Sequence, residues 1–421
     1  MSGKSSAARG VGLRAPLRRP DFRRMWLAQA ISDFGDGLTS LTLLLLAMSL
    51  TGSAGTVAEV MVAIALPDLT IGLVAGVFVD RWERRATMIG SDLARAAIVL
   101  GLVLVQSEDA LALMLALAAA EATVGAFFTP ARMALLPEVL PESELFAANS
   151  LSQLTRMIAS VSGATLAGIL FGTVGAAWPA FAIDAATFLA SAAIVLGVSV
   201  RSRVVSTEVA ASPLTGLRVG LSYAVRTPVL FGTVAAATVV MLGAGVVNVL
   251  WVPLFQVDLH VPTVWYGASD GAQVAAMLVA TAASGALASR YAPTRLVPTC
   301  LVGLGLAVAA VSICASFPEV LALLFAVGLA LAPLNAAIST IIQSTTPRAL
   351  LGRMGALLNA ATSSAYVISL ALAGILGTGI GVRPSFALAG VVVLAAAPTA
   401  ALLYTREPAS GEAGEELSGA A

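Results

Sequence analysis

The sequence predicts an all-α membrane protein, with twelve transmembrane helices in two pseudo-symmetric six-helix bundles, and three observations lead there. Of the 421 residues, 58% are apolar and 11% charged, with a mean hydropathy of +0.94. A soluble domain carries roughly 25% charge, so lipid is the solvent that suits this composition. Apolar runs of about twenty residues, the length that crosses a bilayer core, recur along the chain. The second half also repeats the first: Leu136-Pro137-Glu138-Val139-Leu140-Pro141, closing on Ala167-Gly168-Ile169-Leu170, aligns without a gap on Ile342-Gln343-Ser344-Thr345-Thr346-Pro347, closing on Ala373-Gly374-Ile375-Leu376. Parallel six-helix repeats are an established transporter plan.

Taken in order, residues 1–22 form a basic cytosolic tail, with Lys4, Arg9, Arg14, Arg18 and Arg19 and no apolar core leading to a small-residue cleavage site. Residues 23–200 form the N-terminal six-helix bundle, with spans near 24–50, 57–79, 86–106, 110–130, 147–172 and 177–199. Residues 201–227 read as a cytosolic central loop, the one long polar connection. The C-terminal six-helix bundle occupies 228–405, with spans near 229–255, 264–288, 296–316, 319–343, 353–378 and 382–404. Residues 406–421, with Glu412, Glu415 and Glu416 among Gly, Ser and Ala, read as a disordered cytosolic tail.

Arginines set the orientation. They gather before span 1, at Arg81, Arg84 and Arg85, at Arg132, through the central loop, and at Arg290, Arg295, Arg348, Arg353 and Arg406, whereas the opposite loops hold only His260 and Arg383. By the positive-inside rule both termini are cytosolic, as in a multi-pass protein of the cytoplasmic (inner) membrane. Cys300 and Cys314 stand about four turns apart on one span, roughly 20 Å along a helix and beyond disulfide reach. The single lysine lies in the tail, so no phosphate-cradling loop with its lysine exists and ATP hydrolysis by this chain is excluded as the driving force.

The loop Gly76-Val77-Phe78-Val79-Asp80-Arg81-Trp82-Glu83-Arg84-Arg85 interrupts two apolar runs with dense charge, and residues 285–295 echo it half a chain later. This loop resembles the signature between helices 2 and 3 of the major facilitator superfamily, with Glu83 standing where that pattern has glycine. Asp21-Phe22-Arg23-Arg24-Met25-Trp26, Gly35-Asp36-Gly37, Ser91-Asp92-Leu93-Ala94-Arg95-Ala96 and Ile183-Asp184-Ala185-Ala186-Thr187-Phe188 resemble the macrolide-efflux and enterobactin-exporter branch of its drug:proton antiporters. The resemblance covers about residues 20–405 and implies export by alternating access. One departure stands out: Gly163-Ala164-Thr165-Leu166-Ala167-Gly168 lacks the proline of the exporters' helix 5 motif.

Ionisable side chains inside a membrane are costly, so each is a functional candidate. Gln29, Asp33, Asp36 and Ser40 share one face of span 1, and Asn149, Gln153, Arg156, Ser160 and Gly163 share one face of span 5. Such stripes read as the lining of a polar cavity between the halves, or else as hydrogen bonds in a dry helix interface. Asp33, Glu121 and Arg156 each sit about nine residues, roughly 13 Å, from the cytosolic end of their spans and could meet. Asp36 and Asp68 lie about a turn deeper, where an unpartnered carboxylate is costly to keep ionised and so suits a proton carrier. Asp33, Asp36, Asp68, Glu121 and Arg156 are therefore the proton-coupling candidates. Asp92 and Arg95, three apart, are expected to satisfy one another. Gln29, Asn149, Gln153, Asn248, Trp251, Asp270, Asn335, Asn359 and Tyr366 are the substrate-cavity candidates. Gly76, Asp80, Arg81, Arg84, Arg85 and Glu138 form a candidate conformational latch, because anchoring alone needs arginines but no acid at Asp80.

The reading is a secondary transporter, a monomer surrounded by lipid, that exports amphipathic small molecules (drug, macrolide or siderophore-like) against proton entry. The alternatives are a uniporter or importer of a metabolite or lipid, and a non-transporting receptor on the same scaffold. Two acids three apart on one helix seldom straddle a substrate, so Asp33 and Asp36 do not read as a hydrolase pair. No enzyme activity, cofactor, metal or nucleic-acid partner is expected.

Overall fold

The computed structural model describes residues 15–79, 81–200 and 213–405, and among them every regular element is helical. The helices are α1 (Pro20–Thr51), α2 (Ala54–Thr70), α3 (Gly72–Val79), α4 (Arg84–Gly101), α5 (Leu111–Val139), α6 (Glu142–Val174), α7 (Trp178–Val195), α8 (Pro213–Arg226), α9 (Pro228–Pro253), α10 (Tyr266–Arg290), α11 (Pro293–Val311), α12 (Phe317–Thr345), α13 (Leu351–Gly379) and α14 (Val382–Tyr404). Ten helical runs among the described residues are long and apolar enough to cross a membrane. The α2–α3 pair and α10 occupy the remaining two of the twelve expected spans.

The second span is interrupted at Ile71, between α2 and α3, and Pro67 lies inside α2 a turn before it, without an amide for the helical ladder. Hydrogen bonds from the Ile71 amide to the Pro67 carbonyl (2.8 Å) and from Ala75 to Ile71 (2.7 Å) carry the chain round the break. Asp68 therefore sits between the proline and the interruption at Ile71. The stretch read as a central loop contains α8, which seats Gly220 against the Arg353 carbonyl and leaves Leu221 and Val225 exposed.

The chain divides into two compact units, Met1–Leu50 with Ala63–Glu208 and Thr263–Gly267, and Thr51–Val62 with Val209–Pro262 and Ala268–Ala421. Within the first, α4 packs on α5 and α7; within the second, α11 packs on α12 and α14, the same arrangement one repeat later. The repeat is also visible at close contacts. A Cβ on Gly163 of α6 would overlap the Phe34 carbonyl of α1, and at the corresponding place Ser369 of α13 packs on Gly245 of α9 and donates to the Leu242 carbonyl. Small residues let backbones approach this closely, which supplies the dispersion contacts that hold helices together in lipid. The segment 163–168 keeps that function without the exporters' proline.

Charges at the helix ends are absorbed locally. Glu83 caps α4, its carboxylate accepting from the amides of Arg85 (3.2 Å) and Ala86 (2.6 Å), which accounts for an acid where the superfamily pattern has glycine. Arg24 and Arg85 donate to the Gly197 and Leu196 carbonyls just past α7, groups that a helix C-terminus leaves unpaired. Arg383, the arginine on the otherwise arginine-free side, lies 3.4 Å from Asp258 and donates to the Ser312 (3.2 Å) and Cys314 (2.7 Å) carbonyls. Asp258 ends a π-helical turn, Leu254–Asp258, that follows Pro253.

Candidate functional site

The site begins with two glycines in α1. A Cβ on Gly35 would overlap the Asp184 carboxylate and the Thr187 hydroxyl of α7, and one on Gly37 would overlap the Ser160 backbone of α6. Helix α1 thus lies tight against both neighbours, and its two acids face different helices, Asp33 toward Arg156 of α6 and Asp36 toward Arg95 of α4. Together these helices enclose a cavity of about 240 Å³ within the first unit. All five proton-coupling candidates, Asp33, Asp36, Asp68, Glu121 and Arg156, border it, as do Gln29, Arg95 and Asp184.

Arg95 organises this cavity, and the pairing expected for it is corrected. Instead of turning to Asp92, its guanidinium bridges Asp36 and Glu121, with Nε 2.6 Å from Glu121 Oε1, while the Phe188 ring centroid lies 4.1 Å from its Cζ. Asp92 instead accepts from the Ser191 hydroxyl of α7 at 2.6 Å. A planar five-donor fork can serve two carboxylates at once, whereas an acid one turn away on the same helix offers only an edge contact. Depth along the span carried the missed signal: Arg95 lies eleven residues beyond Arg84, at a level comparable with Asp36.

The other cavity acids have separate partners. Arg156 Nε is 3.8 Å from Asp33 Oδ1, whereas Glu121, the other acid at its depth, belongs to Arg95. Asp184 accepts from Thr39 (2.5 Å) and Thr187 (3.0 Å). Asp68 has neither an ion pair nor a hydrogen bond among the described residues, and it is exposed toward the cavity it borders. Of the Arg95 pair, the Asp36 side chain is 37% exposed and Glu121 16%, so Asp36 is the member that cavity water reaches.

The remaining candidates are more scattered. Asn149 and Gln153 lie exposed on α6, outside the lining of this cavity. In the second unit, Asn248 donates to the Tyr366 hydroxyl (3.0 Å) and Trp251 to Ser269 (3.0 Å). Asn248, Trp251 and Gln273 are the polar-capable members of an otherwise apolar cavity of about 250 Å³ there. Asn335 and Asn359 border a further cavity of about 380 Å³ in that unit. Asp270 is exposed on α10 and borders neither. Among the latch candidates, Arg84 pairs with Glu138 and donates to the Ala134 carbonyl (3.0 Å), Arg81 is exposed, and Gly76 lies in α3. Asp80 is outside the described residues.

Comparison with known proteins adds a family. A family model described as "Transmembrane secretion effector" matches residues 11–416. The multidrug efflux pump Tap of Mycolicibacterium fortuitum is 29% identical over 373 residues, which cover 84% of this chain and 88% of Tap. The enterobactin exporter EntS of Citrobacter koseri is 27% identical over 370 residues, 85% of each chain. The crystal structure of a bacterial homologue of the human lysosomal transporter Spinster, in an inward-facing and unoccupied conformation, matches with a TM-score of 0.73 and 13% identity, covering 92% of this chain and 97% of that one. At that identity the likeness concerns the fold alone.

Proposed function

The chain belongs to the transmembrane secretion effector family of the major facilitator superfamily, and from that premise we propose that it exports amphipathic small molecules across the cytoplasmic membrane in exchange for protons. The observation that carries the proposal is the first unit's cavity, where one buried arginine is shared by two acids of unequal exposure. A proton delivered to the Asp36 carboxylate cancels its charge and leaves Arg95 to Glu121 alone. Loss of that proton restores the bridge. The cavity thus has two arrangements that differ by one proton, which is what coupling transport to a gradient requires. Asp33 and Asp68 are the next candidates for the proton, and Asp33 is held by Arg156. The names of Tap and EntS support efflux as the direction and drug- or siderophore-sized molecules as the cargo.

In this proposal Gly76, Asp80, Arg81, Arg84, Arg85 and Glu138 act as a latch on the cytosolic side, with the Arg84–Glu138 pair tying the start of α4 to the end of α5. The protein works as a monomer in lipid with both termini cytosolic. Proteoliposomes loaded with a pH-sensitive dye test the exchange. Addition of a macrolide or a catecholate siderophore to one side of an imposed pH gradient should dissipate the gradient with wild type. Asp36→Asn should still bind the compound and move no protons. Transport by Asp36→Asn with unchanged pH dependence would refute the assignment, and movement of compound indifferent to the gradient would favour a uniporter.

A further inference from the structure

The two units differ in how their helix-end arginines are met. In the first, Arg19 pairs with Glu144 (3.3 Å), Arg24 with Asp21 (3.1 Å) and Arg84 with Glu138. In the second, Arg218 and Arg226 lie on α8, Arg295 in the first turn of α11, and Arg348 and Arg353 at the start of α13, all at one end of the bundle. None of these five forms an ion pair among the described residues. The acids between residues 213 and 405 are Asp258, Asp270 and Glu319, and they belong to the opposite end, past α9 and at the starts of α10 and α12.

Helix α8 is fixed across the connection from α12 to α13. Gly220 packs against the Arg353 carbonyl, the Tyr223 hydroxyl donates to the Thr345 carbonyl (3.4 Å), and Ala224 is buried. The opposite face is left open, with Leu221 50% and Val225 58% exposed and Arg218 exposed beside them. At about 100° per residue these three side chains fall within about 60° of one another. The apolar span α9 begins two residues after Arg226.

We infer that α8 docks in the membrane surface, with Leu221 and Val225 at the acyl boundary and the unpaired arginines binding the phosphates of anionic phospholipids. A basic helix with one apolar stripe takes that position, and each arginine at an anionic surface adds to the attraction. No acid within the stretch 213–257 opposes it. Because α9 pins the helix in the headgroup layer, an acidic soluble protein would have to displace the lipids of that layer to reach it. In the first unit the paired arginines have their charge met inside the protein.

The test uses the full chain in nanodiscs of phosphatidylcholine with phosphatidylglycerol as the minor lipid, and native mass spectrometry counts the lipids that stay bound on release. Wild type should enrich phosphatidylglycerol by about fivefold or more over its share of the disc, the scale of one or two basic side chains at a membrane surface. Arg218→Gln with Arg226→Gln should cut that enrichment by about half or more. The corresponding lysine pair should keep it, because surface attraction needs charge and no fork. Arg19→Gln, which removes a paired arginine of the first unit, should leave it unchanged. A second readout places the contact on α8: a fluorophore on Leu221→Cys, in a Cys300→Ala, Cys314→Ala background. Brominated phosphatidylglycerol should quench it more than brominated phosphatidylcholine, and the difference should fade as sodium chloride is raised. That measurement keeps the arginines native, so the docking stays testable even where the glutamine variants fail to fold. The assignment is overturned if wild type shows no enrichment, if the glutamine pair keeps it, or if the two brominated lipids quench alike. It is also overturned if inorganic phosphate displaces the lipid, which would make this a site for the free anion. Enrichment that emerges only after removal of residues 406–421 would give the patch to that glutamate-bearing segment and overturn it as well. Binding is read without flux, so it can fail while the export reading stands.

Discussion

At the scale of single residues, Arg95 is the side chain on which the cavity depends. It is 9% exposed and faces two carboxylates, so removing it strands two acids in a site that water reaches only in part. Arg95→Ala should cost about 3 kcal/mol, within the range for a broken buried pair, and lower the thermal unfolding midpoint in detergent. Adding Glu121→Gln to that background should recover part of the loss; if it worsens the loss, the two groups are not partners. Arg95→Lys should rescue poorly, because an ammonium cannot present a fork to two carboxylates. In the sequence this residue reads as the neighbour of Asp92, since three-residue spacing suggests a local pair. Which helix a side chain meets across an interface is a tertiary fact, and spacing along one helix does not contain it. By contrast, the depths of Asp33, Asp36, Asp68, Glu121 and Arg156 follow from counting residues into each span, and these five border one cavity, which lies within the first unit.

At the scale of elements, Gly37 of α1 and Gly90 of α4 behave oppositely. Gly37 has the Ser160 backbone where its Cβ would stand, whereas Gly90 of α4 has nothing within 4 Å. Gly37→Ala should destabilise by about 1 to 3 kcal/mol through overpacking. Gly90→Ala should be neutral or stabilising by up to about 1 kcal/mol, from helix propensity alone. Detergent unfolding midpoints of the two variants check this, and equal effects would mean that α1 does not lie as close to α6 as described. Helix positions were legible because a stretch of about twenty apolar residues has one use in lipid. Helix α8 was not, because Arg218 and Arg226 break the apolar run that marks a span while a 3.6-residue pattern remains among Leu217, Leu221 and Val225. The interruption at Ile71 was equally hidden, since hydropathy does not register a local distortion within an apolar run.

At the scale of the whole molecule, two expectations follow from the charge pattern. With Cys300 and Cys314 buried and unpaired, both can be replaced by alanine and a single cysteine placed at Ser5 or Ser418. A membrane-impermeant maleimide should then label neither site in intact cells and both in inside-out vesicles; labelling of one tail in whole cells would break the topology. Asp80→Asn should reduce turnover more than binding, by a coupling of about 1 to 3 kcal/mol, while Ser289→Ala at the echoing loop changes little. Equal losses in transport rate and in affinity would leave that loop as an anchor. The twofold plan behind these expectations was readable because the two halves still align residue by residue; the cargo was not, because selection acts on a few cavity side chains and leaves the rest of the pattern untouched. Asp68 borders the cavity of the first unit. Since Asp68 has neither an ion pair nor a hydrogen bond among the described residues, an altered side chain there forfeits no internal bond, and one base substitution turns an aspartate codon into an asparagine codon. A lineage carrying this gene can therefore change the charge that lines this cavity in a single mutational step, without first acquiring a compensating mutation to keep the protein folded.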